Sequence, residues 1–196
     1  MKTKIILETL VLAAALTATQ AGAAPISLQG STITGTYNGA PEGVLGLDHG
    51  FAAEPGSNTT AIDPFGTGGV EFLTSDFLFG IDFSTSGVLT VILNGTLPVP
   101  ANYRLVFDFG PSFAQRIGGF TLLDTSGVTG LPALSVLDDR SFALDFSSVS
   151  WNSEFGTFSA QIDAAAAVPE PGSIGLGLAG LAGFALARRR NRAAQR

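Results

Sequence analysis

The strongest constraint on the fold is an alternation of large apolar residues with small or polar ones, which recurs in four separate segments. In each segment every second side chain is apolar, so one face of an extended strand would be buried while the other faces solvent. This period of two predicts half-buried antiparallel β-strands. The apolar sets are Phe77, Phe79, Ile81 and Phe83; Leu105, Phe107 and Phe109; Phe142, Leu144 and Phe146; and Phe158, Ala160 and Ile162.

The rest of the central region also favours an all-β fold. The run Val88–Leu93 is rich in β-branched residues and predicts a central strand. No amphipathic helical pattern of about ten residues or more occurs. Seven to ten short strands are therefore expected, in an antiparallel, jelly-roll-like β-sandwich, and residues 40–69 are expected to be a long loop. The turn signals are Ser86-Gly87, Asn94-Gly95, Gly110-Pro111, Gly118-Gly119, Ser126-Gly127, residues 130–132 and Asp138-Asp139.

The same alternation predicts which side chains form the core. If the pairing register of the strands is right, most members of the predicted set are buried. A slip of one residue would instead move these side chains to the solvent-facing side of each strand. The predicted buried set is Phe79, Ile81, Val88, Ile92, Leu105, Phe107, Phe142, Leu144 and Phe158.

The charge is distributed unevenly along the chain. Residues 25–168 contain 14 acidic residues, three arginines and no lysine, so this region carries −11, whereas the whole chain carries −6. Such a region would repel nucleic acid, whose binding requires neutralised phosphates. The chain has no cysteine and a single histidine, His49, which excludes disulfides, thiolate metal sites and any site that needs two imidazoles.

The N-terminus has the features of a secretory signal peptide. Lys2 and Lys4 precede an apolar run over residues 5–18, and Ala21-Gly22-Ala23 supplies the small residues that signal peptidase accepts. Cleavage is predicted after Ala23, because a cut one residue later would place Pro25 directly after the bond. The alternative is an uncut membrane anchor, for which the run is short.

The C-terminus combines three features in order. Pro169-Glu170-Pro171 is followed by an uncharged stretch over residues 173–187, which would form about 22 Å of helix at 1.5 Å per residue. This stretch predicts one short transmembrane helix. The arginines after it would act as a stop-transfer cluster that stays in the cytoplasm, which leaves the acidic body outside. The cluster consists of Arg188, Arg189, Arg190 and Arg192.

This tail resembles the PEP-CTERM sorting signal of Gram-negative bacteria. The resemblance covers residues 169–196 and rests on the Pro-Glu-Pro motif, the short span and the closing arginines. It implies recognition by an exosortase, a membrane-embedded enzyme thought to cut near the motif, and it implies an association with exopolysaccharide or biofilm. Both prolines hold the chain extended, which suits a protease substrate. An ordinary linker and anchor helix is the alternative.

Three segments follow from these patterns: a signal peptide over residues 1–23, a β-sandwich domain over 24–163 and a sorting segment over 164–196. The expected route is export through the inner membrane, with signal peptidase and exosortase as processing partners. The final location would be the outer surface or the extracellular matrix.

The sequence contains no recognised catalytic motif. His49 lies in a loop-rich region and is expected to be a turn residue. Asp82, Asp108 and Asp145 each lie between two apolar residues, a pattern that suits soluble outer faces or, less well, a row of calcium ligands. No cofactor is expected.

Two functions remain open. One is a non-enzymatic surface or matrix protein that contacts exopolysaccharide, which predicts a shallow polar or aromatic face and no buried acids with shifted pKa values. The other is a secreted hydrolase of matrix glycans, which predicts a cleft with two facing carboxylates.

Overall fold

A computed structural model describes residues 24–46, 56–62, 69–95 and 103–166. Within these ranges the chain forms thirteen strands and one 3-10 turn, and no helix there is long and apolar enough to cross a membrane. The predicted span at residues 173–187 lies outside the described ranges. The strands are β1 Thr32–Tyr37, β2 Val44–Gly46, β3 Thr59–Ala61, β4 Phe72–Thr74, β5 Phe79–Phe83, β6 Val88–Leu93, β7 Arg104–Asp108, β8 Ile117–Asp124, β9 Val128–Thr129, β10 Ala133–Val136, β11 Ser141–Asp145, β12 Ser150–Trp151 and β13 Thr157–Ala164.

The strands form two large antiparallel sheets and one small one within the compact unit Ala23–Ala166. One sheet has the order β10-β11-β7-β1-β3, the other has the order β2-β4-β5-β6-β13-β8, and β12 pairs with β9. The all-β class and the antiparallel pairing are confirmed. The expected number of seven to ten strands is too low: the described ranges contain thirteen, because five of them have only two or three residues and show no period in the sequence, namely β2, β3, β4, β9 and β12. The jelly-roll-like description stays a prediction.

Phenylalanine rings hold the two large sheets together. The ring of Phe107 on β7 lies 5.6 Å from that of Phe72 on β4 and 5.1 Å from that of Phe83 on β5, measured between centroids. Phe142 on β11 joins the same group, at 5.4 Å from Phe107. All four side chains are almost completely buried, so the two inner faces meet in one core, as in a β-sandwich.

Most of the predicted core is confirmed. Seven of the nine predicted residues are buried. The alternation identified their faces because each lies on a strand whose opposite face carries mostly small or polar side chains, with Val106 on β7 as an exception. The seven are Phe79, Ile81, Leu105, Phe107, Phe142, Leu144 and Phe158.

The predicted face of β6 is wrong. Val88 and Ile92 are only half-buried, whereas Leu89, Val91 and Leu93 are buried. An apolar run without strict alternation does not identify its inner face. The partner strand does, because directly opposed residues share a face, and β5 places its buried Phe79, Ile81 and Phe83 opposite Leu93, Val91 and Leu89.

Phe77 does not continue the buried alternation of β5. Its side chain is 54% exposed and its φ is 60°, in the left-handed region that a large residue rarely adopts. It lies in the turn between β4 and β5, where the Asp76 carboxylate accepts hydrogen bonds from the Thr74 hydroxyl at 2.7 Å and the Leu78 N–H at 3.1 Å. These local bonds fix the turn and direct the following ring outward.

Two further expectations about the loops are corrected. Gly118-Gly119 is not a turn but part of β8. A Cβ at Gly118 would lie 2.5 Å from the Ala165 backbone, so glycine permits a close approach of two chain segments. Residues 40–69 are not one long loop, because β2 and β3 form short edge strands within them.

Replacing Phe107 with alanine tests the packing between the sheets. Phe107→Ala should lower the free energy of unfolding by about 3–5 kcal/mol, since it leaves a cavity among packed rings. Leu131→Ala, at a side chain that is 59% exposed, should change stability by no more than about 0.5 kcal/mol. Urea titration followed by circular dichroism measures both, and equal midpoints for the two variants would contradict this account of the core.

Candidate functional site

The residues that the sequence assigns to processing lie outside the described ranges, and so does His49. The structure does describe the chain next to them, from Ala24 on one side and up to Ala166 on the other. The processing residues are Ala23, Pro169, Glu170, Pro171, Arg188, Arg189, Arg190 and Arg192.

The two ends of the described chain meet at β13. The N–H of Ala164 donates a hydrogen bond to the Ala24 carbonyl at 2.7 Å, and the N–H of Ile26 donates to the Ile162 carbonyl at 3.0 Å. Pro25 forms an isolated antiparallel bridge with Asp163. The residue that follows the predicted signal-peptide cut therefore lies beside the strand that leads into the sorting segment.

The chain beyond β13 is held by the segment that precedes β8. The N–H of Ala165 donates to the Arg116 carbonyl at 2.7 Å. The side chain of the neighbouring Gln115 accepts a hydrogen bond from the Ser27 N–H at 2.8 Å. The connection between β7 and β8 thus contacts the first and the last segment of the described body.

A surface groove of ≈ 640 Å³ lies along this connection. Its other wall is the turn between β10 and β11, and main-chain bonds join the two walls, from Phe109 N–H to the Arg140 carbonyl at 3.1 Å and from Ile117 N–H to the Asp139 carbonyl at 2.8 Å. The groove is lined by Pro111, Phe113, Ala114, Gln115, Arg116, Asp138, Asp139 and Arg140.

Both carboxylates of the groove are already engaged. Asp138 accepts hydrogen bonds from the backbone N–H groups of Arg140 at 2.8 Å and Ser141 at 2.9 Å. The bond from the Arg140 backbone is the main reason why the pKa of Asp138 is lowered, and Ser141 adds to the shift. Asp139 pairs with Arg116 at 2.8 Å, and both side chains are exposed. A general acid needs a raised pKa, so Asp138 does not suit that role.

The groove is rich in hydrogen-bond donors. Within the described residues the Arg140 guanidinium forms no hydrogen bond or ion pair, although its charge attracts the nearby Asp138 carboxylate and helps to lower the pKa of that group. The amide oxygen of Gln115 is occupied by Ser27, which leaves its NH₂ group to donate. Phe113 adds an apolar surface and packs on Phe109 with 4.8 Å between ring centroids. These groups suit an anionic or hydroxyl-rich ligand with an apolar face.

A second polar cluster links Glu71, the residue before β4, to the end of β5. Glu71 is buried, and its carboxyl oxygen accepts the Phe83 N–H at 2.6 Å. Burial raises the pKa of Asp82, and a hydrogen bond with Glu71 partly opposes that shift.

The aspartates that recur in the sequence do not form one row. Asp82 lies on β5 of the six-stranded sheet, whereas Asp108 and Asp145 lie on β7 and β11 of the five-stranded sheet. Asp145 is opposite Arg104, and Asp108 is opposite Ser141 at the other end of the same strand pair. In the described part of the chain, no three acidic or histidine side chains are grouped as metal ligands usually are.

Sequence reasoning missed the groove entirely. In the sequence, its two walls are marked only by the turn signals Gly110-Pro111 and Asp138-Asp139. These turns are far apart in the sequence and become neighbours through the pairing of β10, β11 and β7. Two of the three arginines of an otherwise acidic body meet there, and no spacing in the sequence signals it.

Comparison with known proteins identifies the tail. A family model described as the PEP-CTERM protein-sorting motif matches residues 167–192. The resemblance seen in the sequence is therefore confirmed, and the motif indicates an exported protein that is processed by an exosortase. No curated protein matches the chain, and no solved structure matches it.

The pH dependence of stability should reveal the carboxyl pair. Because the pKa of Asp82 is raised above its usual value of 3.8, the folded protein holds a proton that the unfolded chain has lost. The stability due to this group is fully present below pH 3.8 and is lost as the pH rises through the folded pKa. Asp82→Asn should therefore have a higher Tm than the wild type at pH 7, and this advantage should shrink near pH 4.

Thermal unfolding at the two pH values measures this effect. Asp108→Asn is a matched control, because it removes the same charge from an exposed position on β7. An Asp82→Asn protein that is less stable than the wild type at pH 7 would mean that the pair stabilises the fold as an ionised group.

Proposed function

We propose that this chain is a non-enzymatic exported protein of a Gram-negative bacterium that associates with exopolysaccharide at the outer surface or in the extracellular matrix. An exosortase sorts it through the C-terminal motif, after signal peptidase has cut after Ala23. The inner membrane holds it only as an intermediate. The observation that carries this proposal is the PEP-CTERM sorting motif over residues 167–192.

The body has features that suit a binding role. The groove beside β8 is shallow, polar and partly aromatic, as expected for a glycan-contacting face. Its two carboxylates are held by backbone N–H groups and by Arg116. Such carboxylates can accept hydrogen bonds from sugar hydroxyls, while Phe113 offers an apolar surface to the face of a ring.

The chemistry of the groove favours a carboxylated sugar. A guanidinium forms paired hydrogen bonds with a carboxylate, and Arg140 has no such partner within the described residues. The body around it carries 14 acidic residues against three arginines over residues 25–168, so a polyanion would be repelled elsewhere on the surface. The groove itself holds two arginines and two aspartates and so carries no net negative charge, which makes it a better place for an acidic polysaccharide than the rest of the surface.

The alternative, a secreted hydrolase of matrix glycans, has less support. A non-enzymatic body is expected to lack buried acids with shifted pKa values, and two residues depart from that expectation. Glu71 is buried, and the pKa of Asp82 is raised. The Glu71 carboxyl, however, is buried and accepts the Phe83 N–H at 2.6 Å, so it is engaged by the main chain of β5, whereas a glycosidase places its two carboxyls on either side of a sugar in a cleft. The pair fits a structural role on β5.

Processing is tested by the mass of the mature protein. In the native host, the exported form should lack residues 1–23 and the arginine-rich tail, with a net charge near −11 from the residues that remain. Replacing Pro169, Glu170 and Pro171 with alanine should leave the C-terminus uncut, because the proline-fixed extended segment is lost. Intact-mass measurement reports both ends at once.

The control for this experiment is Ser173→Ala, two residues after the motif. It should be processed like the wild type. A surface form that retains Arg196 in a strain with an active exosortase would show that the tail is an ordinary anchor, and the proposed sorting would be wrong.

Glycan binding is tested with an oligouronate and a neutral oligosaccharide of the same length. The mature body should bind the oligouronate more tightly, and Arg140→Gln should weaken that binding by about 10- to 100-fold, the effect of about 1.5–3 kcal/mol for a charged hydrogen bond. Isothermal titration calorimetry measures the affinities.

Arg104→Gln serves as the matched control. Arg104 on β7 lies opposite Asp145 on β11 and does not line the groove. Its replacement should therefore keep the affinity within about twofold of the wild-type value. Equal losses for both variants would assign the effect to net charge alone, and equal binding of both oligosaccharides would exclude carboxylate recognition.

A further inference from the structure

Two exposed phenylalanines lie in turns at one end of the six-stranded sheet. Phe77 comes shortly before β5 and Phe155 shortly before β13, and their side chains are 54% and 65% exposed. Among the aromatic residues that the structure describes, these two are the exposed ones, and the others are buried or half-buried. Large apolar side chains that stay in water together mark a site of interaction.

The pairing of the sheet brings the two turns close to each other. β5 and β13 both pair antiparallel with β6, so their first residues meet its last residues. The Leu93 N–H donates to the Gly156 carbonyl at 2.9 Å, and the side-chain amide of Asn94 donates to the Phe77 carbonyl at 3.0 Å. The two turns are therefore separated by two strand spacings, about 10 Å, with the exposed Asn94 between them.

The backbone is strained at both phenylalanines. Phe77 has a φ of 60° and Phe155 has a φ of 59°, in the left-handed region that a large residue rarely adopts and that costs stability. Because both rings are exposed, they return little of that cost through burial. Asparagine or glycine would adopt this conformation more easily. The fold therefore does not account for a phenylalanine at either position, and a ligand that packs on the rings does.

The residues beside the rings select the class of ligand. The two turns share a pattern of serine, acid and phenylalanine, as Ser75-Asp76-Phe77 and Ser153-Glu154-Phe155, and both acids are exposed. Carboxylates accept hydrogen bonds from hydroxyl groups and repel anions. Phenyl rings pack on C–H groups. The two turns therefore suit an uncharged ligand with hydroxyl groups on its edges and C–H groups on its face, which is the chemistry of a neutral sugar.

The aromatic turns lie far from the groove. β13 begins two residues after Phe155 and ends at Ala164, which over eight residues of strand is roughly 25 Å away. The next residue, Ala165, donates its N–H to the carbonyl of Arg116 in the groove wall at 2.7 Å. The sorting segment thus leaves the body at the end that carries the groove. This favours a ligand in the surrounding matrix over the membrane from which the protein is released.

We propose that Phe77 and Phe155 form a binding surface for a neutral, extended β-linked polysaccharide, whose C–H faces pack on the two rings. In a β-linked glucose chain every hydroxyl group is equatorial, so apolar faces repeat along the chain, and the separation of the turns matches the length of a disaccharide unit. Asp76 and Glu154 accept hydrogen bonds from the hydroxyl groups. This inference rests on the proposed association with exopolysaccharide but not on the groove, which takes carboxylated sugars.

Titration calorimetry of the mature protein with cellohexaose tests this surface. The wild type should bind cellohexaose, more weakly than the oligouronate because no guanidinium pairs with it. Phe77→Asn and Phe155→Asn should each weaken the binding by at least about tenfold, since each removes one buried phenyl contact. Their Tm should equal or exceed that of the wild type, because asparagine tolerates a left-handed backbone.

Leu137→Asn is the matched control. It removes an exposed apolar side chain beside the turn between β10 and β11, far from the aromatic turns, and should bind cellohexaose like the wild type. A lower Tm for both phenylalanine variants would show that the rings stabilise the fold, and the inference would be wrong. Binding to phosphatidylcholine vesicles in place of cellohexaose would assign the rings to a bilayer and overturn it as well.

Arg140→Gln separates this surface from the groove. Cellohexaose binding should be unchanged in this variant. A loss with Arg140→Gln and none with the phenylalanine variants would place the neutral sugar in the groove and contradict the inference. Wild-type binding of the oligouronate without any binding of cellohexaose would overturn the inference and leave the proposed function standing, whereas binding of neither sugar would contradict both.

Discussion

The fold depends on the packing of phenylalanine rings between two sheets. Phe72 and Phe83 from the six-stranded sheet meet Phe107 and Phe142 from the five-stranded sheet, in edge-to-face and tilted contacts. Rings of this size fill the space between the sheets only when every contributing strand presents the correct face. The chain has no disulfide to compensate for a register error, so the alternation of each strand carries the specificity of the fold.

The alternation predicts β5, β7 and β11, which contribute three of these four rings, but not β4, which contributes Phe72 and is only three residues long. β5, β7, β11 and β13 were predictable because one face is large and apolar. The inner face of β6 depends on its pairing with β5, and Gly118 depends on a contact with Ala165 that is remote in sequence. The edge strands β2 and β3 are too short to show a period.

The sorting signal and the groove also differ in whether the sequence alone predicts them. A sorting signal is a linear segment that a membrane enzyme binds in extended form, so the sequence alone identifies it. The groove is formed by two turns that approach each other only because β10, β11 and β7 pair. Its character depends on which partners Asp138, Asp139 and Arg140 find in three dimensions, and no local pattern encodes that.

The acidic composition also has a role in the architecture. β8 and β10 are the outer strands of their sheets, and they expose Leu122, Leu123 and Val136, which is a risk of edge-to-edge pairing. Natural sheets often place lysines on such edges, but residues 25–168 contain none. A bulge in the pairing of β8 with β13 distorts one edge, and repulsion between like-charged bodies opposes association. The proposed processing strengthens that repulsion, because the signal peptide and the tail that it removes carry +1 and +4, so the net charge changes from −6 in the full chain to −11 in the body.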